Sequence, residues 1–214
     1  MNPSWCRAWS QPETPVGADR GARLVRAVLW RALRTPGTEY CALWEHEGGW
    51  DLQGTAVLSA DETPTEVRYR VSCDTAWRTR DVEVVLSADR EQRLDLVADQ
   101  EGRWTTEGRE LAQVRGSVDV DLGFSPSTNT LPIRRLGLAV GDSAEVQAAW
   151  VRFPEMTVEP LPQRYTRLGP ERYLYESLAS DFRAQLEVDD LGLVVRYPRG
   201  WERAAAAGPA SAIA

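Results

Sequence analysis

Lysine is absent from this chain, and all 25 basic residues are arginine. This absence excludes Schiff-base chemistry, a lysine general base and the phosphate-gripping lysine of a P-loop. Histidine is scarce as well, because the single His46 stands between two glutamates and is interpreted as a solvent-facing turn residue. The three cysteines, at 6, 41 and 73, match no zinc or redox spacing. We therefore predict no metal, no cofactor and no cysteine nucleophile.

Long apolar runs are also missing. The first residues, MNPSWCRAWSQPETP, lack the apolar core of a signal peptide, and no later run is long enough to span a membrane. The net charge of −7 argues against nucleic acid as the main partner and against docking on anionic lipid. We predict a soluble, cytoplasmic protein with no nucleic-acid partner and no integral membrane association.

The two ends of the chain differ in composition from its centre. Residues 1–22 mix proline, glycine, serine and charge without any period, and residues 204–214 read AAAAGPASAIA. Both segments predict flexible tails. No linker or repeat interrupts the sequence between them, so residues 23–203 predict a single domain.

Within that domain, apolar and polar residues alternate with a period of two. Short turns rich in glycine, proline and aspartate separate these runs, which indicates antiparallel meanders rather than βαβ units. The predicted fold is mainly β: a single strongly curved antiparallel sheet, a β-roll or half-barrel, of about ten or more strands. One short helix is expected near Ser127–Leu136, capped by serine or threonine and limited by Pro132.

One hairpin, of residues 66–74 and 77–87, carries the most specific register prediction. With Thr75-Ala76 as its loop, Val67 faces Val84 and Arg70 faces Asp81, so that apolar groups meet on one face and opposite charges on the other. The same register puts Arg78 and Arg80 on the apolar face. Either they line the mouth of a cavity or a bulge turns them outward.

Charged residues are concentrated in an otherwise apolar stretch, Val118–Leu136. It contains Asp119, Asp121, Asn129, Arg134 and Arg135 among valine, leucine, phenylalanine and isoleucine. Burying such groups is costly unless they are paired, so we predict a polar network that either locks the fold or receives the polar end of a ligand. At least one of the two aspartates is expected to be buried against an arginine. Paired carboxylates acting as acid and base are the alternative.

Aromatic residues are plentiful, with nine tryptophans and six tyrosines. On a curved sheet, large aromatics form core or line sugar and lipid pockets, because their faces are apolar while the tryptophan N–H and tyrosine O–H can still donate. We predict a pocket of about 300–1,000 Å³ lined by tryptophan and tyrosine, with arginine at its rim.

Several segments resemble a bacterial glycolipid-binding family. The most specific are TNTLPIRRL at 128–136 and AWVRFP at 149–154, and further pieces extend in order over about residues 25–201. The resemblance implies a β half-barrel or roll related to carriers of lipid-linked ligands, and it provides no catalytic residue.

Together these observations predict a soluble binding protein for a small amphiphilic molecule such as a glycolipid. An apolar groove would hold the chain and arginines would meet the polar head. Alternatives are an enzyme acting on a sugar- or acyl-bearing small molecule, with Asp119 or Asp121 as base, and a protein-interaction scaffold; a homodimer formed through an edge strand also stays open. The candidate ligand-binding residues are Trp77, Arg78, Arg80, Asp119, Asp121, Asn129, Arg134, Arg135, Trp150, Arg152 and Tyr165.

Overall fold

A computed structural model describes residues 21–208, which form fifteen strands in one sheet and a single short α-helix. The strands are β1 (Arg23–Ala32), β2 (Gly37–His46), β3 (Gly49–Ala60), β4 (Thr63–Asp74), β5 (Thr79–Ser87), β6 (Glu91–Ala98), β7 (Trp104–Thr106), β8 (Arg109–Glu110), β9 (Asp119–Leu122), β10 (Ser143–Val151), β11 (Val158–Gly169), β12 (Arg172–Ser177), β13 (Arg183–Val188), β14 (Val194–Tyr197) and β15 (Trp201–Ala207). The helix α1 spans Thr130–Leu136.

Two antiparallel meanders make up the sheet. Its strand order is β8-β7-β6-β5-β4-β3-β2-β1-β15-β14-β13-β12-β11-β10-β9, so the first and last described strands pair at its centre. The only parallel pair in the described sheet is β9 with β10. The mainly β, strongly curved sheet is thus confirmed, with more strands than the sequence resolved and with one parallel edge.

The sheet curves because β-bulges interrupt several of its ladders. Register shifts lie between Leu24 and Arg26, between Leu29 and Trp30, and between Ser72 and Cys73. Each bulge bends its strand and increases the local twist. The apolar face of every long strand therefore turns toward one enclosed interior, where the buried hydrophobic side chains form a single cluster.

The segment after β9 fills this interior. All residues from Phe124 to Ile133 are buried, first in a 3₁₀ turn at Ser127–Asn129 and then in α1. We call residues 124–133 the plug. The helix predicted near Ser127–Leu136 is confirmed, and Pro132 is tolerated because it lies in the first turn, where backbone N–H groups have no partner within the helix.

The predicted side-chain cap of this helix is wrong. Neither N-cap residue, Pro126 or Asn129, makes a side-chain cap hydrogen bond. Instead, the Ser125 hydroxyl accepts the N–H of Ser127 at 3.0 Å.

The two halves of the curved sheet, β1–β8 and β9–β15, contact each other where β9 lies against the start of β5. The N–H of Thr79 donates to the carbonyl of Val118 at 3.2 Å, and the N–H of Val120 donates to the Thr79 hydroxyl at 3.1 Å. No strand ladder joins β5 to β9 within the described sheet, so the roll stays open along this line. We call this contact the seam.

The hairpin of β4 and β5 forms, but its predicted register is wrong by two residues. Val67 faces Leu86 and Arg70 faces Glu83. The turn is longer than expected because the Asp74 carboxylate accepts the N–H groups of Ala76 and Arg78, at 3.0 and 2.9 Å. A shift of two residues keeps the side chains outside the bulge at Cys73 on their expected faces, so the apolar pattern could not reveal the error.

The structure describes only part of the two predicted tails. Residues 204–207, assigned to the C-terminal tail, form the second half of β15 and pair with β1, so that boundary was wrong. The N-terminal tail lies outside the described residues except for Gly21 and Ala22, and so do residues 209–214. None of the helices in the described part of the chain has the length and apolar character needed to cross a membrane.

Candidate functional site

A pocket of about 460 Å³ lies between the plug, strands β9 to β12 and the turn that joins β14 to β15. Its volume falls within the range expected for small-molecule sites. It is lined by Arg34, Asp121, Leu122, Gly123, Ser125, Asn129, Trp150, Leu161, Tyr175, Ser177, Ser180, Phe182, Tyr197, Pro198, Arg199, Gly200 and Trp201.

The residues that line this pocket range from buried to exposed. Leu122, Ser125, Asn129 and Tyr175 are all buried, and with Asp121 they form what we call the inner end. Six residues of the lining are exposed: Arg34, Gly123, Ser180, Phe182, Pro198 and Arg199. We call Arg34, Phe182, Pro198 and Arg199 the rim.

Asp121 provides the charge of the inner end. One of its carboxylate oxygens accepts a hydrogen bond from Gln163 Nε2, which also donates to the Tyr175 hydroxyl at 3.2 Å. The other oxygen has no hydrogen-bond partner among residues 21–208. Burial raises the pKa of Asp121 to about 6, and the neighbouring Asp119 acts in the same direction against the Gln163 hydrogen bond. The carboxylate is therefore mostly ionised at neutral pH and has a free acceptor oxygen.

A second carboxyl, Glu39 of β2, lies fully buried behind Ser125. Its Oε1 accepts hydrogen bonds from the Tyr69 hydroxyl at 2.5 Å and the Ser125 hydroxyl at 2.6 Å. Its Oε2 has no partner within the described residues. Burial raises the pKa of Glu39 to about 8, so the group is mostly protonated at neutral pH.

Sequence reasoning missed Glu39, although a signal was present. It shares the parity of Cys41 and Leu43 in β2, where an acidic residue on an apolar face indicates a buried polar group.

Asp119 makes the ion pair that the sequence predicted. It is 1% exposed and receives two hydrogen bonds from Arg135, from Nε at 3.0 Å and from a terminal nitrogen at 2.5 Å. Burial raises the pKa of Asp119 despite the opposing effect of Arg135. This pair anchors the C-terminal end of α1 to β9, outside the pocket lining.

The structure divides the eleven candidate residues into three groups. Asp121, Asn129 and Trp150 line the pocket. Tyr165 and Arg152 support the lining, because the Tyr165 hydroxyl donates to Asn129 Oδ1 at 3.0 Å and the Arg152 guanidinium lies 5.2 Å from the centre of the Trp150 ring. The remaining six do not line it: Trp77, Arg78, Arg80, Asp119, Arg134 and Arg135.

The arginines expected at the cavity mouth are engaged elsewhere. Arg80 forms an ion pair with Asp74 at 2.6 Å, Arg78 is exposed, and the bulge next to Cys73 accounts for both. Arg134 lies over the ring of Trp77, 5.3 Å from its centre. The bulge interpretation of Arg78 and Arg80 is therefore the correct one.

The arginines that do reach the pocket, Arg34 and Arg199, were not predicted. They belong to the β1–β2 and β14–β15 turns, which approach each other only because β1 pairs with β15. The positive φ of 63° at Arg199 marks the tight turn that presents its side chain. No local pattern in the sequence could indicate that residues 165 positions apart share a rim.

The described residues form neither a metal-binding cluster nor a cysteine thiol with a lowered pKa. Within 21–208 there is no group of three or more histidine, cysteine, aspartate or glutamate side chains placed to hold a metal ion. His46 accepts the N–H of Gly48 at 3.1 Å at the end of its hairpin. Cys41 and Cys73 are buried free thiols whose pKa burial raises, which disfavours the reactive thiolate.

The structure is a β-roll with a pocket that opens to solvent at its rim. Comparison with known proteins identifies the family of the chain. Residues 27–203 match the sequence model of a family described as "Putative glycolipid-binding", so the chain belongs to that family. No match was found among curated proteins.

Two solved structures are similar. A DUF1089 family protein from Pseudomonas aeruginosa is 35% identical, with a TM-score of 0.70 over 78% of this chain and 92% of that one. A β-barrel-like protein of the domain of unknown function DUF1849 from Brucella abortus is 10% identical, with a TM-score of 0.50 over 86% and 97% of the two chains. At that identity the second likeness concerns the fold alone.

Proposed function

We propose that the chain binds a small amphiphilic, sugar-bearing molecule in this pocket. The family description names glycolipid binding, and the pocket has the composition such a ligand requires. The observation that carries the proposal is the pairing of an aromatic wall with hydrogen-bonding groups at the inner end. Apolar surface provides most of the affinity of a pocket, while a few placed polar groups fix orientation.

Three aromatic residues of the lining, Tyr175, Phe182 and Tyr197, form what we call the aromatic wall. Tyr175, Phe182 and Tyr197 contact one another, with ring centres 6.0 to 6.3 Å apart. Trp150 and Trp201 add two further aromatic residues to the lining. An alkyl chain or a sugar face laid against these rings gains about 25 cal/mol for each Å² of apolar surface removed from water.

Titration with a single-chain alkyl glycoside, decyl β-D-glucopyranoside, tests this proposal. Kept below its micelle concentration, it should bind saturably by calorimetry and change tryptophan emission through Trp150 and Trp201. Tyr197→Ala should weaken binding by about tenfold or more, because it removes an aromatic residue from the wall. The matched control is Tyr40→Ala, since Tyr40 is 49% exposed and lies outside the pocket.

Circular dichroism and thermal unfolding of both variants separate loss of binding from loss of fold. If the glycoside shows no saturable binding, or if the two tyrosine variants behave alike while remaining folded, the proposed site is wrong.

A further inference from the structure

Building on the proposed function, we infer that the inner end recognises an uncharged, hydroxyl-bearing head group and rejects an anionic one. The ligand then enters head first, and its apolar chain leaves past the rim. This orientation reverses the expectation that arginines receive the polar head. It follows from the charge, burial and hydrogen bonding of the groups at the two ends of the pocket.

Among residues 21–208, the lining of the inner end includes no cationic side chain that could pair with an anion. Asp121 is the charged group of the lining there, and Asp119 lies two residues away on the same strand. Arg135, the arginine that pairs with Asp119, already makes two hydrogen bonds to that carboxylate. A phosphate or sulfate placed beside Asp121 would meet a like charge in a partly buried site, where repulsion is weakly screened.

A hydroxyl group, in contrast, satisfies the unused hydrogen-bonding groups of the inner end. The free oxygen of Asp121 can accept a hydroxyl proton, and hydrogen bonds to a charged acceptor are the stronger kind. Asn129 donates one amide N–H to the carbonyl of Pro126 at 3.1 Å, which leaves its second N–H to donate. Each hydroxyl of a sugar both donates and accepts, so adjacent hydroxyls match a carboxylate and an amide lining one cavity.

The rim has the opposite charge. Arg34 and Arg199 are exposed, and neither makes an ion pair within residues 21–208. An anionic head could reach these guanidiniums only by binding at the rim, which would push its alkyl chain against Asp121. That arrangement would remove water from the carboxylate without replacing its hydrogen bonds, which is costly. The head-first orientation avoids this cost.

Two ligands with the same chain and different heads test the inference: decyl β-D-glucopyranoside and decyl phosphate, each below its micelle concentration, measured by calorimetry at pH 7.5. We expect the glucoside to bind at least about tenfold more tightly, as one charge-assisted hydrogen bond provides. Tighter binding of the phosphate would overturn the inference while leaving an amphiphile site in place. Failure of both ligands to bind would overturn the proposed function itself and this inference with it.

The variant Asp121→Asn assigns the preference to one residue. It keeps the size of the side chain and an oxygen that can accept from Gln163, but it removes the charge. The affinity for the glucoside should fall about tenfold and that for the phosphate should rise, so that the ratio between them collapses. Asp81→Asn is the control, because Asp81 is an exposed aspartate on β5 outside the pocket.

Folding does not confound this comparison. Loss of a buried charge is tolerated more readily than its introduction, and unfolding midpoints measured for both variants verify that they fold. An unchanged ratio of affinities in a folded Asp121→Asn protein would overturn the assignment.

Discussion

Two carboxyl groups on the inner face of the roll, Glu39 and Asp121, have raised pKa values for the same physical reason and differ in charge at neutral pH. Glu39 is completely enclosed, and its pKa of about 8 keeps it mostly neutral, whereas Asp121 borders the pocket and its pKa of about 6 leaves it mostly ionised. Because Glu39 is more completely enclosed than Asp121, Glu39 is a neutral group of the core and Asp121 is a charged group of the pocket. The Ser125 hydroxyl, which donates to Glu39, lines the pocket between them.

At the residue scale, Glu39→Gln should flatten the pH dependence of stability. The folded state holds the Glu39 proton up to a pKa of about 8, whereas the unfolded chain releases it near 4.5. The native state therefore binds more protons between these values, and its free energy of unfolding falls as pH rises, by up to about 1.4 kcal/mol per pH unit from this group. Urea unfolding from pH 5 to 8 measures the slope.

Asp121 shifts stability in the same direction at lower pH, between 3.8 and about 6, so the difference between wild type and Glu39→Gln isolates Glu39. Glu91→Gln, at an exposed position of β6, is the control and should keep the wild-type slope. A stability difference between wild type and Glu39→Gln that stays constant from pH 5 to 8 would contradict the assignment.

At the element scale, β9 shows how an edge strand is completed without another strand. Its partner on one side is β10. On the other side two threonine hydroxyls take the place of a ladder: Val120 N–H donates to Thr79 and Leu122 N–H donates to Thr128, both at 3.1 Å. One threonine comes from β5 across the seam and the other from the plug, so these two bonds hold three elements together.

Thr79→Val should destabilise the protein by about 1–3 kcal/mol, because it leaves the buried Val120 N–H without an acceptor while keeping the shape of the side chain. Thr38→Val, at an exposed position of β2, should change the free energy of unfolding by no more than about 0.5 kcal/mol. Chemical denaturation of both variants provides the comparison. Equal stability of the two would show that water replaces the lost hydroxyl and that the seam does not depend on it.

Elements were predictable where the cause was local. The alternation in β4 follows from one dry face, and the helix near Ser127–Leu136 lies in a short segment that Pro132 limits. The structure adds that this helix ends at Gly137, which adopts the left-handed conformation. The register of β4 and β5 was not predictable, because it depends on two hydrogen bonds that the Asp74 side chain makes within its own turn.

The whole molecule depends on contacts that no local pattern contains. The pairing of β1 with β15 and the parallel pairing of β9 with β10 join residues far apart in sequence. Asp121 and Asn129 were found because a charge and an amide stand out in an apolar segment, and Trp150 because it is a large aromatic residue in a strand-like run. Arg34 and Tyr197 were missed because only the closing of the roll brings them to the pocket.

At this largest scale, the two ends of the sheet predict a monomer. One edge strand, β8, has two residues, both charged and exposed, and the other, β9, is covered by Thr79 and Thr128. Short charged edges and covered edges both oppose pairing with a second copy, so the described residues offer no free ladder for a dimer. Analytical ultracentrifugation at micromolar concentrations should therefore give a mass near 23.9 kDa. A stable dimer would contradict this, and Tyr40→Arg would then test the outer face of β1 and β2, where exposed Leu29 and Tyr40 pair across the ladder.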